Sequence, residues 1–235
     1  MLAGVVLCGG GSRRMGVDKA RLVWDGEPLV ARVARRLAEV ADPVLLAPGE
    51  LGRLAAVPEV AGLGQVADAA ASGQVADAAG PGRVVDAAGT GAGGASAGPG
   101  RRGPLAAIAG ALSASPHDRL AVVAVDLPDL SPALLAAMAA GLGPDADVAL
   151  PLVDGGPQPL HAVYSRRALA ALRAALDGGR LALRDALAGL RVDVWDEPRW
   201  RPIAAPGFAR NLNTPADLPA APAGVRAPSR RTWPA

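Results

Sequence analysis

Lysine is almost missing from this chain. Lys and Arg together number 24, yet Lys19 is the single lysine and every other basic residue is arginine. Cysteine is equally scarce. Cys8 stands alone, which excludes an intramolecular disulfide and fits a reducing compartment, so a cytoplasmic location is expected. Aromatic residues make up only 3%, so the core has to be built from Ala, Leu and Val. A large excess of one charge is lacking too. The formal net charge is +2 and the basic residues are scattered, which argues against a nucleic-acid partner. No run of about 20 apolar residues escapes a charge or a Pro/Gly break, so neither a transmembrane helix nor a membrane partner is expected. The opening "MLAGVVLCGG" has no basic segment before it and runs straight into glycines. It reads as a buried strand rather than a secretion signal.

What is present is an α/β pattern. Hydrophobic residues amount to 51% of 235, enough for one domain with a sizeable core. The unbroken apolar run at 3–8 predicts a strand buried on both faces, and further strands are predicted at 43–47 and 119–126, the last with its only acid, Asp126, at the carboxyl end. Further strands are predicted at 146–152, 158–165 and 191–196. Helical spacing predicts helices over 28–41, 131–142, 167–179 and 181–190, with Pro28 in a first turn and Ser131-Pro132 as a cap and first helical residue. The alternation implies a single Rossmann-like three-layer domain with a mostly parallel sheet.

Residues 64–102 break the pattern. "GQVADAAAS", "GQVADAAGP" and "GRVVDAAGT" repeat a nine-residue unit with Asp68, Asp77 and Asp86 in equivalent places. A calcium β-roll would carry more glycines and place its aspartates differently. The segment is expected to be a low-complexity insertion within a domain spanning 1–218, with little packing against the sheet. Residues 219–235 have the composition of a disordered tail.

The stretch "LCGGGSRRMGVDK", Leu7 to Lys19, follows the first strand. Glycines between a strand and a helix suit phosphate binding, because backbone N–H groups become accessible there. Gly11 and Gly16 have P-loop spacing, but a lysine does not follow directly. The dinucleotide fingerprint would need glycine where Arg14 stands.

The whole stretch resembles the signature loop of the nucleotidyltransferase family that includes molybdenum-cofactor guanylyltransferase. "RGPLAAIAGAL" at 102–112, "VVAVDLPDLSP" at 122–132 and "NLNTPADL" at 211–218 resemble three further family segments, in the family's order. The resemblance implies a GT-A-like nucleotidyltransferase fold. It also implies Mg²⁺-dependent transfer of GMP from GTP to a molybdopterin-type acceptor, with release of pyrophosphate. Catalytic roles then fall to Arg14, Lys19 and Asp126, with Asp126 holding Mg²⁺. Nucleotide contacts fall to Leu7, Cys8, Gly9, Gly10, Gly11, Lys19, Asn211 and Asn213, and to one repeat aspartate, Asp86 before Asp68. GTP and the molybdopterin cofactor are the implied partners, with transient contacts to cofactor-delivery proteins. Ala47-Pro48 stands where the family often has an asparagine.

Other readings stay open at this point. One is a cytidylyl or sugar-phosphate transferase; the other is a nucleotide-binding module without turnover. Asp126 also fits a turn before Pro128, and Lys19 fits a surface pair with Asp18 or Asp25. Cys8 reads as a small buried thiol, since this transfer needs no covalent step. His161 reads as a core or pocket histidine and His117 as solvated. Arg180 and Arg184 suit an acceptor phosphate or a helix surface.

Overall fold

The computed structural model describes residues 1–9, 18–48, 54, 57–66, 84–85, 103–213 and 217. Three apolar strands form the centre of its main sheet. β1 (Ala3–Leu7) lies between β4 (Val44–Ala47) and β7 (Arg119–Ala124), parallel to both. Their residues alternate between two cores. Val6, Ala121 and Val123 point to one face, while Val5, Leu7, Leu120 and Val122 point to the other. Both faces are covered, which is why these strands read as unbroken apolar runs.

On the first face pack α1 (Leu29–Leu37), α3 (Pro132–Gly141) and the short α6 (Glu197–Trp200). On the second pack α2 (Gly103–Ala114), α4 (Ala168–Asp177) and α5 (Leu183–Leu187). α1 sits so close to β1 that a Cβ on Gly4 would stand 2.7 Å from a Leu37 methyl. The predicted cap of α3 forms: Ser131 Oγ accepts the Leu134 N–H at 3.2 Å, ahead of Pro132.

Beyond β7 the sheet continues through β10 (His161–Ser165), β8 (Val148–Val153) and β11 (Val192–Trp195). β10 runs antiparallel to both neighbours. The chain leaves β8 through a tight hairpin with β9 (Gly156–Pro157) and enters β10 without a helix between. So short a link cannot make a parallel crossover.

Several local elements lie outside the sequence pattern. β2 (Val23–Trp24) and β3 (Glu27–Pro28) form a hairpin whose turn, Asp25-Gly26, has φ of 50° and 82°. The Asp154-Gly155 turn repeats this geometry at 50° and 74°. Pro28 therefore ends a strand and caps α1 instead of opening its first turn.

The insertion needs a correction at its start. β5 (Gly64–Val66) pairs with β4, and β6 (Val84–Val85) pairs with β5, extending the parallel edge. Little packing was expected there, yet Val66 is buried in the second core. Gly64 allows this approach, because even its missing Cβ would stand 3.1 Å from Leu45. The other repeat residues, and the tail from 218 onward, lie outside the described residues.

Candidate active site

The parallel strands β1, β4 and β7 end on one edge: Leu7 pairs with Ala47 on one side and Ala124 on the other. Backbone bonds extend the alignment past the strands. Cys8 N–H donates to the Ala47 carbonyl at 2.9 Å, and Val125 N–H donates to the Leu7 carbonyl at 3.1 Å. Asp126 is thereby carried just past the end of β7, where open α/β sheets place ligands.

Lys19 opens a single 3-10 turn, Lys19–Arg21, which Asp18 caps by accepting the Ala20 N–H at 3.1 Å. The lysine reaches across 107 residues. Its Nζ lies 2.9 Å from Asp126 Oδ2 and 3.0 Å from Asn213 Oδ1. Asn213 is held in turn. The Leu212 N–H donates to the Asp126 carbonyl at 3.0 Å, and the Asn213 N–H donates to Asp217 Oδ2 at 2.8 Å. Three segments distant in sequence thus converge on one ammonium. The surface pairing of Lys19 with Asp25 is not what forms; Asp25 pairs with Arg32 at 3.6 Å. Lys19 and Asp126 are each about one-fifth exposed. Desolvation offsets much of their attraction, so the pair contributes on the order of 1 kcal/mol to folding.

Asp126 lies in a turn closed by the Leu127 N–H on the Ala124 carbonyl at 3.3 Å, but its carboxylate caps no backbone N–H of that turn among the described residues. Its side chain meets Lys19, and among the described residues its Oδ1 accepts no hydrogen bond. Among the described residues, no group of three or more His, Cys, Asp or Glu gathers in a way that could hold a metal ion, at Asp126 or elsewhere.

The other predicted positions divide. Gly9 and Asn211 are exposed at the same edge, but Asn211 is not part of the lysine cluster. Leu7 and Cys8 are buried, with the Cys8 thiol 3.6 Å from the Val6 carbonyl. Arg180 and Arg184 are exposed beside the start of α2, where the Leu181 carbonyl lies 3.7 Å from the Cβ position of Gly103. Gly10, Gly11, Arg14 and Asp86, with Asp68 and Asp77, lie outside the described residues.

His161 sits opposite Val123 and is fully buried, as expected of a core histidine. Its Nε2 accepts the Ser131 N–H at 3.2 Å, which places the ring proton on Nδ1. Its ring packs 4.8 Å from that of Phe208. Burial pulls its pKa down to about 4, so the ring is neutral. His117 corrects an expectation: its Nε2 lies 2.9 Å from the Asp42 carbonyl instead of being merely solvated.

The sequence reading missed an ion network behind the cluster. Arg32, Asp129 and Arg210 link α1, the loop after Asp126 and the segment before Asn213. The only local signal was a half-buried arginine on a helix whose inner face is otherwise apolar.

The mostly parallel, helix-covered sheet, which carries a lysine, an aspartate and an asparagine at its carboxyl edge, has the fold of the α/β nucleotidyltransferases. Residues 4–193 match the family model described as the MobA-like NTP transferase domain, and the chain belongs to that family. The probable molybdenum cofactor guanylyltransferase of Pelotomaculum thermopropionicum is 32% identical over 223 residues, 92% of this chain and 89% of that protein. The protein of the same description from Chloroflexus aggregans is 32% identical over 232 residues, covering 93% and 92%. The crystal structure of molybdopterin-guanine dinucleotide biosynthesis protein A from Archaeoglobus fulgidus shares the fold. Its TM-score is 0.64 over 93% of this chain and 95% of that one, at 20% identity. Among the described residues, no helix is long and apolar enough to cross a membrane.

Proposed function

We propose that the chain is a Mg²⁺-dependent guanylyltransferase that transfers GMP from GTP to a molybdopterin-type acceptor. A bond forms between an acceptor phosphate oxygen and the α-phosphorus of GTP. The bond from that phosphorus to the α–β bridging oxygen breaks, and pyrophosphate leaves with the electron pair. The observation that carries the reading is the meeting of Lys19, Asp126 and Asn213 at the strand ends. Each comes from a different segment that resembles the family, and the relatives' names supply the acceptor class.

Asp126 fits a Mg²⁺ ligand. Mg²⁺ keeps most of its waters and takes one or two carboxylates plus substrate phosphates, and Asp126 offers one carboxylate with an oxygen accepting nothing among the described residues. The ion would supply charge neutralisation on the phosphates. Lys19 balances the charge that develops on the departing pyrophosphate, and Arg14 adds to it. The backbone N–H groups of Gly9, Gly10 and Gly11, which follow Leu7 and Cys8 in the sequence, are the groups proposed to meet the phosphates. Asn211, Asn213 and Asp86 hold base or ribose edges. Delivery proteins for the acceptor would meet this same edge, and a cytoplasmic setting suits the chemistry.

The test is pyrophosphate release and product formation with each of the four NTPs, Mg²⁺ and molybdopterin. GTP is expected to be the substrate. Turnover with CTP instead, or none with any NTP, overturns the reading.

A further inference from the structure

We infer that Arg32 is a positioning residue that sets Asp126 and Asn213 against Lys19, acting through the Pro128 carbonyl and the Asp129 carboxylate. Its side chain is only 16% exposed, so its charge needs partners close by. It has three, in three directions. Nε donates to the Pro128 carbonyl at 2.9 Å. One terminal nitrogen lies 3.6 Å from Asp25, and the other lies 3.6 Å from Asp129 Oδ1. The remaining oxygen of Asp129 accepts from Arg210 at 3.3 Å. The Arg210 guanidinium lies 5.5 Å from the centre of the Trp24 ring.

The segments joined here are those that supply the cluster. Asp25 and Trp24 lie in the hairpin that follows the Lys19 turn. Pro128 and Asp129 lie two and three residues after Asp126. Arg210 lies three residues before Asn213. Leu127 and Leu130 are buried on either side of the pinned Pro128, so Arg32 fixes that loop two residues past Asp126. The strongest bond is to Pro128; the two ion pairs are longer and weaker. A lysine could satisfy one of the three partners but lacks the planar fork that meets all of them.

The kinetic arm of the test rests on the proposed nucleotidyl transfer, while the exchange arm needs no substrate. Arg32→Gln should lower kcat by about tenfold or more and leave the GTP KM within about threefold, because the groups displaced act on the reacting phosphates. Arg32→Lys should recover part of the loss. In an Asp126→Asn background, Arg32→Gln should cost less than about twofold more, since both changes disable the same group. Independently, the Leu212 amide, which donates to the Asp126 carbonyl, should exchange faster in Arg32→Gln. The Val125 amide, bonded to Leu7, should stay as in the parent. A parent-like kcat, a KM that rises in step with any loss, a full additive loss in the double variant, or parent-like Leu212 exchange each overturn the inference. If Arg32→Gln does not fold, Asp129→Asn carries the same expectations and the same refutations. If the parent turns over no nucleotide, the proposed function fails, and Leu212 exchange alone decides on Arg32.

Discussion

Two aspartates mark opposite edges of the sheet. Asp126 follows the carboxyl end of β7, and Asp147 precedes the amino end of β8; β7 and β8 run in the same direction, each antiparallel to β10. Asp147 is gripped on both oxygens. Arg191 donates to Oδ1 at 2.7 Å and to Oδ2 at 3.0 Å, its backbone N–H adds a bond at 3.1 Å, and Arg167 stands 3.8 Å away. The hydrogen bonds from Arg191 hold the Asp147 carboxyl below the usual carboxylate range. Among the described residues, the Asp126 carboxylate meets a single ammonium on one oxygen. A bidentate arginine fork uses up a carboxylate, whereas a lysine leaves part of it available. Arginine fixes the carboxylate at one edge, and the one lysine meets, at the other, the carboxylate proposed to hold Mg²⁺.

Replacing each member in turn tests the contrast. Asp126→Asn keeps the shape and removes the charge, so transfer should fall by about a hundredfold or more in steady-state kinetics while the melting temperature stays near the parent's. Near-normal turnover at ordinary Mg²⁺ would reduce Asp126 to a structural residue.

His161 blurs the division, because it lies near the functional edge yet acts on stability. Its folded pKa of about 4 lies below that of an unfolded histidine, about 6.5. Between those values the unfolded chain binds the extra proton, so stability falls as pH drops from about 6.5 to 4, by up to roughly 3 kcal/mol. In urea titrations across that window, His161→Gln should flatten the slope. An unchanged slope would show that another group titrates.

Asp147→Asn should cost about 1–2 kcal/mol, because Arg191 loses its charged partner but stays half exposed to water. Turnover of the folded protein should be unchanged. The Asp147 contribution is present above the ordinary carboxylate pKa and is lost as pH falls below it, through the lowered folded value. A catalytic loss without a stability loss would reverse the roles of the two edges.

The smallest effect is expected from Arg201→Gln. Arg201 lies 2.6 Å from Glu197, but both side chains are more than half exposed. Chemical denaturation should show a change below about 0.5 kcal/mol. A larger cost would mean that arginine geometry, rather than burial, makes the Asp147 staple.

The same contrast explains what was legible in the sequence. β1 and β7 were readable because both faces are covered, and Ser131-Pro132 marked the start of α3 because caps are local chemistry. Lys19 stood out by composition and Asp126 by closing an apolar run. The reversed direction of β10 depends on a short link whose path local pattern does not encode. The hairpin turns had a signal in Asp25-Gly26 and Asp154-Gly155 that the surrounding short strands were too brief to support. The Arg32 network ties Arg32 to Pro128, 96 positions on, and Asp129 to Arg210, 81 positions on, each unremarkable in its own stretch. Asn213 showed as part of a motif, but its meeting with Lys19 is a tertiary fact.

The most direct measurement is the turnover of Lys19→Arg beside Lys19→Ala. Lys19 Nζ meets Asp126 and Asn213 from one point, at 2.9 and 3.0 Å, a geometry that suits a compact ammonium and not a planar guanidinium fork. The account predicts that Lys19→Arg keeps the charge and the melting temperature but loses turnover about tenfold or more, a cost of about 1.4 kcal/mol in the transition state. Parent-like turnover of Lys19→Arg, together with a loss of less than about twofold in Lys19→Ala, would contradict it and leave the single lysine as a surface charge.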